Sequence, residues 1–166
     1  MAREARLKFV DFSEPSSGIV TLPPFTPILL TTTPVELASV TLQGSNSNDR
    51  QVVMGSIGTQ LVVTAQAAAS ATGQFSVLYT LTRNGVTVYE FTDGGATPPT
   101  AAAVGAISIA SVTSSFQHAE TGNSGTLTYR LFAQLTFKAG QGDSSPVASI
   151  PGPLTLIGMV IDKNEV

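Results

Sequence analysis

The clearest pattern in the chain is an alternation of apolar and polar side chains with a period of two, which is typical of half-buried β-strands. Residues 75–83 alternate in this way and lead through Asn84-Gly85 into a second alternating run at 86–91. Because Asn-Gly readily adopts positive φ at both central positions of a tight turn, these runs predict a β-hairpin. The longest alternation falls at 127–137, whose apolar face consists of Leu127, Tyr129, Leu131, Ala133, Leu135 and Phe137.

Shorter apolar runs predict the remaining strands, and no segment carries the apolar stripe of an amphipathic helix. Segments rich in Gly, Pro, Ser and Asn separate the runs, and the last of these segments is 140–153. We therefore predict an all-β fold, a single antiparallel β-sandwich of seven or eight strands that is jelly-roll-like. An immunoglobulin-like sandwich is the alternative, although the cysteine pair and core tryptophan of that fold are missing. The other predicted strands are 35–42, 52–57, 60–65, 106–114 and 154–161.

The N-terminal segment differs from the rest because prolines repeatedly interrupt its apolar runs. We predict an extended Pro-rich arm at 1–34 and the sandwich domain at 35–166. The arm either lies along its own domain as an edge strand or adds a strand to a neighbouring subunit. Its candidate intersubunit residues are Phe9, Val10, Phe12, Ile19, Val20, Leu22, Phe25, Ile28 and Leu29.

A low density of charge changes this picture. Charged residues make up 11% of the 166 residues, against about 25% in an average soluble protein. Residues 94–119 contain no Asp, Glu, Lys or Arg. A surface of small neutral side chains can be buried against a copy of itself without stranding ions, so the composition favours self-association. The alternative is a weakly charged domain that is simply rich in small residues.

The overall charge and composition favour no nucleic-acid or membrane partner. The net charge is −3, which lacks the basic footprint of nucleic-acid binding. The apolar run at 154–161 is too short to span a bilayer. No apolar signal-peptide core follows the N-terminus, so we expect the protein to stay inside the cell or to leave without a signal peptide. The absence of cysteine excludes disulfides and thiolate metal sites.

The chain shows no pattern of catalytic residues. His118 is the only histidine, and no serine lies in a Gly-x-Ser-x-Gly motif. Asp143 and Glu120 lie in predicted Gly-rich loops and are candidates for calcium ligands, but no Asp-x-Asp-x-Asp-Gly loop is present. We therefore expect no catalytic residue, no metal and no cofactor.

Several short segments resemble a known family. Pro-Val-Glu-Leu-Ala-Ser-Val stands at 34–40, Val-Leu-Tyr-Thr-Leu-Thr-Arg-Asn-Gly at 77–85, and Gly-Pro-Leu-Thr-Leu-Ile-Gly at 152–158. Together with 48–52, 57–60 and 127–131, their order and spacing resemble the exosporium and spore-surface structural proteins of endospore-forming bacteria, particularly the exosporium protein C type. The likeness covers roughly residues 34 to 161.

The resemblance implies a structural role at the spore surface, in the exosporium or an appendage. It also implies synthesis without a signal peptide in the mother-cell cytoplasm and release by lysis, and it carries over no catalytic residues. Many spore-surface proteins are cross-linked through cysteine. This chain has none, so its robustness would depend on packing and backbone pairing.

Three functional hypotheses follow. The first is a non-enzymatic structural protein that self-assembles into a spore-surface layer or fibre, with the arm docking on a neighbour by strand addition. Its partners would be copies of itself and other spore-surface proteins. The second is a closed, trimeric jelly-roll binding module at a fibre tip or capsid surface, with residues 94–119 lining its axis or a receptor surface. The third is an enzyme of an unrecognised kind that uses His118 and the loop acids.

Overall fold

The structure is a computed structural model that describes residues 6–13 and 27–162. The described residues contain no helix and form two antiparallel sheets, which confirms the prediction of an all-β sandwich. The ten strands are β1 (Arg6–Ser13), β2 (Ile28–Leu29), β3 (Val35–Ser45), β4 (Arg50–Ala65), β5 (Thr72–Arg83), β6 (Val86–Ala96), β7 (Ile107–Thr121), β8 (Gly125–Gln141), β9 (Ser144–Ile150) and β10 (Leu154–Asp162).

The larger sheet is organised around β4. β7 pairs with β4 along its whole length on one side. On the other side β10 pairs with the first half of β4 and β9 with the second half. β1 then adds to β10, and β2 adds to β9. The smaller sheet has the order β3-β8-β5-β6.

The predicted hairpin and the predicted strand at 127–137 both lie in this smaller sheet. Asn84 and Gly85 have φ of 48° and 84°, as the tight turn between β5 and β6 requires. The inward faces of β5 and β8 bury Tyr79 and Tyr129 almost completely. Phe137 departs from the predicted buried face: a bulge between β5 and β8 shifts the register there, and the ring is 49% exposed.

The two strands predicted at 52–57 and 60–65 are one continuous strand, β4. The predicted break falls at Gly58, where the neighbour of β4 changes from β10 to β9. The connection between those two neighbours passes directly over this glycine, and Gly58 N–H donates to the carbonyl of Pro153 at 2.6 Å. A Cβ on residue 58 would lie 2.2 Å from the carbonyl oxygen of Gly152, so the site accepts only glycine.

β9 lies inside the segment 140–153 that the sequence pattern assigned to a loop. Pro146 is the reason for the error, because proline cannot donate to a strand ladder. Proline is tolerated here because β2 pairs only with residues 149 and 150 of β9, which leaves Pro146 with β4 as its only strand neighbour among the described residues. Eight strands therefore lie within 35–162, and β1 and β2 precede them.

Candidate assembly surface

The N-terminal strand β1 lies at one edge of the larger sheet and contributes to the core of its own chain. Phe9 opposes Val160 of β10 and packs against the buried cluster between the sheets. Asp11 also faces inward, and one of its carboxylate oxygens accepts a hydrogen bond from the backbone N–H of Thr41 in β3 at 2.7 Å. β1 is therefore fixed to both sheets.

Among the described residues, Lys8 forms two ion pairs between β1 and the rest of the chain. Its ammonium lies 3.1 Å from Asp49 Oδ2 and 3.7 Å from Asp162 Oδ2. The Asp49 side chain is fully buried, and it also accepts a hydrogen bond from the backbone N–H of Asn46 at 2.9 Å. Because a buried carboxylate is costly without a cation, the ammonium of Lys8 stabilises Asp49 in the body of the domain.

The outer face of the larger sheet is apolar beside β1. Val10 opposes Met159, and Phe12 opposes Ile157, with these side chains directed away from the core. Val10, Phe12 and Ile157 line an open groove of about 290 Å³. By the alternation of strand residues, Arg50 is the only charged side chain on the outer face among the described strands of this sheet.

The outer face of the smaller sheet is polar by comparison. Arg130 pairs with Glu36 at 3.3 Å, and Thr80 donates a hydrogen bond to Glu90 at 3.1 Å. The outer faces of the two sheets therefore differ in character. The apolar surface belongs to the larger sheet and lies beside the N-terminal strand β1.

The candidate arm residues fall into two groups where they are described. Phe9 and Ile28 are partly buried and pack against the core. Val10, Phe12 and Leu29 are exposed, at 46%, 67% and 63%. The polar contacts of Lys8 were missed at the sequence level, because its partner Asp49 is distant along the chain and no local pattern marks it.

Four further candidate arm residues, Ile19, Val20, Leu22 and Phe25, lie outside the described residues. Residues just after them are tied to the domain body. Leu30 N–H donates to the carbonyl of Ala148 at 3.0 Å, and the carbonyl of Thr31 accepts from Leu135 N–H at 2.8 Å. The boundary predicted at residue 34 and the docking of the arm on a neighbour stay predictions, since a single chain tests neither.

His118 belongs to a partly buried cluster at the end of β7. Its Nε2 lies 3.9 Å from Glu120 Oε2 and has no hydrogen-bond partner among the described residues. Glu120 forms an ion pair with Arg83, and it accepts a hydrogen bond from the Tyr129 hydroxyl at 2.5 Å. Both oxygens of Glu120 thus bind side chains of β5 and β8 in the smaller sheet, so the cluster connects these two strands to β7 of the larger sheet. In the described ranges, no hydroxyl group is hydrogen-bonded to His118.

Two tyrosines are held in their neutral form by the fold. Burial raises the pKa of Tyr129, and its hydrogen bond to Glu120 raises that pKa further. Burial also raises the pKa of Tyr79, whose hydroxyl lies 2.5 Å from the hydroxyl of Thr59.

Residues 6–13 and 27–162 contain no group of three or more His, Cys, Asp and Glu side chains that could hold a metal ion. Within the same ranges no helix is long and apolar enough to cross a membrane.

Comparison with known proteins gives no family for the chain. No protein-family model and no curated protein matches it. Among solved structures, it is similar to dimeric latent PorU from Porphyromonas gingivalis, with 9% identity and a TM-score of 0.29 over 80% of this chain and 10% of that one. It is also similar to a protein of the T13 IBDV viral particle, with 13% identity and a TM-score of 0.28 over 96% of this chain and 37% of that one. The chain thus spans well under two thirds of either structure, and the resemblance to spore-surface proteins stays a prediction.

Removing the ammonium of Lys8 should destabilise the domain. We expect Lys8→Met to lower the free energy of unfolding by about 1–3 kcal/mol, less than for a fully buried pair because Lys8 is partly exposed. Urea unfolding measures the change. In a double-variant cycle with Asp49→Asn, the double variant should lose clearly less than the sum of the single losses. Additive losses would show that the two side chains do not support each other.

Alkaline pH should destabilise the domain through Tyr79 and Tyr129. Near and above about pH 10, the ordinary pKa of tyrosine, both ionise more readily in the unfolded chain than in the folded one, where their pKa values are raised. The folded state then binds more protons, so the free energy of unfolding falls as the pH rises. Urea unfolding between pH 8 and 11 should show a shallower fall for Tyr79→Phe/Tyr129→Phe than for the unmodified chain. Parallel curves would contradict the raised pKa values.

Proposed function

We propose that the chain is a non-enzymatic structural protein that assembles with copies of itself, its N-terminal strand docking on a neighbouring copy by strand addition. The observation that carries the proposal is the docking site of β1. There an edge strand contributes Phe9 to the core and Lys8 to the buried Asp49. This site needs an arm, and identical copies can supply one to each other.

Strand exchange would preserve each contact of β1. β10 would still pair with a β1 strand, and Asp49 would still meet a Lys8, because the neighbour presents the same sequence. Exchange would therefore lose few contacts. It would also join copies through an interface that includes side chains of the buried core. This is the physical reason to favour arm docking over a weak surface contact.

The character of the larger sheet's outer face supports the same function. Val10, Phe12 and Ile157 are exposed there, and Arg50 is the only charge on the described strands of that face. Exposed apolar patches with few charges mark surfaces that are buried in an assembly.

We also propose that the sandwich is a jelly roll. The order β1-β10-β4-β7 in one sheet and β3-β8-β5-β6 in the other supports this topology, in which two four-stranded sheets share eight strands. β9 and β2 would then be short additions to the first sheet.

We propose the spore surface, in the exosporium or an appendage, as the location of the assembly. The support is the resemblance of residues 34–161 to spore-surface proteins of endospore-forming bacteria. Other spore-surface proteins are then natural partners beside copies of the chain itself.

Two single-cysteine chains test arm docking directly, because the natural chain has no cysteine. Val10 and Met159 are directly opposed across β1 and β10, within the range that a disulfide spans. One chain carries Val10→Cys and the other carries Met159→Cys. When the two are refolded together and oxidised, we expect a disulfide-linked heterodimer. Gel electrophoresis without reductant measures it.

One positive and one negative control accompany this experiment. A chain with both substitutions should form the bond within itself when it is refolded at high dilution. A mixture of Val10→Cys with Thr92→Cys, which lies on the opposite edge of the sandwich, should stay unlinked. If the first mixture also stays unlinked while the double variant closes its own bond, the arm docks only on its own chain.

A further inference from the structure

The strand edges of the sandwich differ in how far they are protected from pairing with another chain. An edge strand presents unpaired backbone N–H and C=O groups, and proteins usually protect it with charges, prolines or bulges. In the described residues the long edges are β1 and β7 of the larger sheet and β3 and β6 of the smaller sheet.

Three of these edges carry protective features. β1 holds Arg6, Lys8 and Asp11, and its pairing with β10 shifts register at Lys8. β3 carries Glu36 and has two irregularities in its pairing with β8. β6 carries Glu90 and Asp93, and its pairing with β5 has one register shift.

β7 carries none of these features along most of its length. Its fifteen residues pair with β4 in unbroken register from Ile107 to Thr121. Residues 107–117 include no charged residue, no proline and no glycine. Ile107 and Ile109 are 61% and 51% exposed. A long, regular, uncharged edge of this kind readily accepts another strand.

We propose that β7 pairs with β7 of a second copy in antiparallel orientation about a two-fold axis, which joins the two larger sheets edge to edge. This inference rests on the proposed self-assembly and names one of its interfaces. The partner is a second β7 because the other edges of a copy carry charges and irregular registers, whereas the contacts of β1 are specific to β10.

The sequence of β7 suits pairing with itself. In the register of full overlap, Ser114 lies at the axis, Thr113 opposes Ser115 of the second copy, and Ile109 opposes Ala119. No like charges then face each other within the strand, so the pairing carries no electrostatic penalty. The outer faces of the two larger sheets also become continuous.

Charge variants of the outward-facing residues test the pairing. Thr113→Lys/Ser115→Lys and Thr113→Glu/Ser115→Glu both change exposed positions, so the fold of each copy should persist. In a two-fold interface each variant places like charges side by side. We expect either variant alone to weaken association about 10- to 100-fold, and an equal mixture of the two to restore it. Analytical ultracentrifugation of the full chain measures both effects.

A matched control separates this effect from a general effect of charge. Thr87→Lys/Thr92→Lys adds the same charge at exposed positions of β6 and should leave association unchanged. If the charged β7 variants misfold by circular dichroism, a chain with Thr113→Cys mixed with one carrying Ser115→Cys replaces them. Full overlap brings these two residues together, so a disulfide-linked heterodimer is expected, and its absence overturns the pairing.

The outcomes distinguish this inference from the function on which it rests. If the unmodified chain stays monomeric at high concentration, both are wrong. If it associates and the double-lysine variant associates equally well, only the β7 pairing is overturned. If each charged variant fails to associate and the mixture fails too, β7 takes part in an interface with a different strand, and the two-fold pairing is wrong.

Discussion

The hydrogen-bonded ladder on both sides of β4 is the constraint on which the rest of the structure depends. β7 occupies one side of β4, and β10 and β9 share the other, so every strand of the larger sheet is attached to β4 directly or through one neighbour. Its inward side chains Ile57, Leu61 and Val63 are fully buried against the smaller sheet. Gly58 lets the chain between β9 and β10 cross closely enough for both to share that side.

This arrangement leaves two contrasting edges on the larger sheet. At one edge β1 is fixed by Phe9 in the core and by Lys8 against the buried Asp49. At the other, β7 presents a regular edge that is free of charge over residues 107–117. If the arm docks on a neighbouring copy and β7 pairs with a second β7, as proposed, the subunit has two different ways to join copies. A two-fold interface alone closes at a dimer, so growth beyond a dimer would depend on the arm.

The fold class could be predicted because the alternation of apolar and polar residues along a strand is a local property of the sequence. The runs at 75–91 and 127–137 alternate clearly, and the Asn84-Gly85 turn defines their hairpin. The split predicted in β4 and the loop predicted at β9 were wrong because Gly58 and Pro146 have local preferences that the surrounding sheet overrides. The ion pair of Lys8 with Asp49 could not be predicted at all, since it joins residues far apart in the chain. The apolar arm residues could be named, but not divided into core-facing and outward-facing sets before the register with β10 was known.

Negative-stain electron microscopy of the purified chain, beside a variant that lacks residues 1–13, tests self-assembly through the arm most directly. The truncated chain should also carry Asp49→Asn, so that no buried carboxylate is left without its cation. The account predicts regular filaments or sheets for the full chain and small discrete particles for the truncated one. Small discrete particles of the same size from both chains would contradict it and would favour a closed oligomer instead.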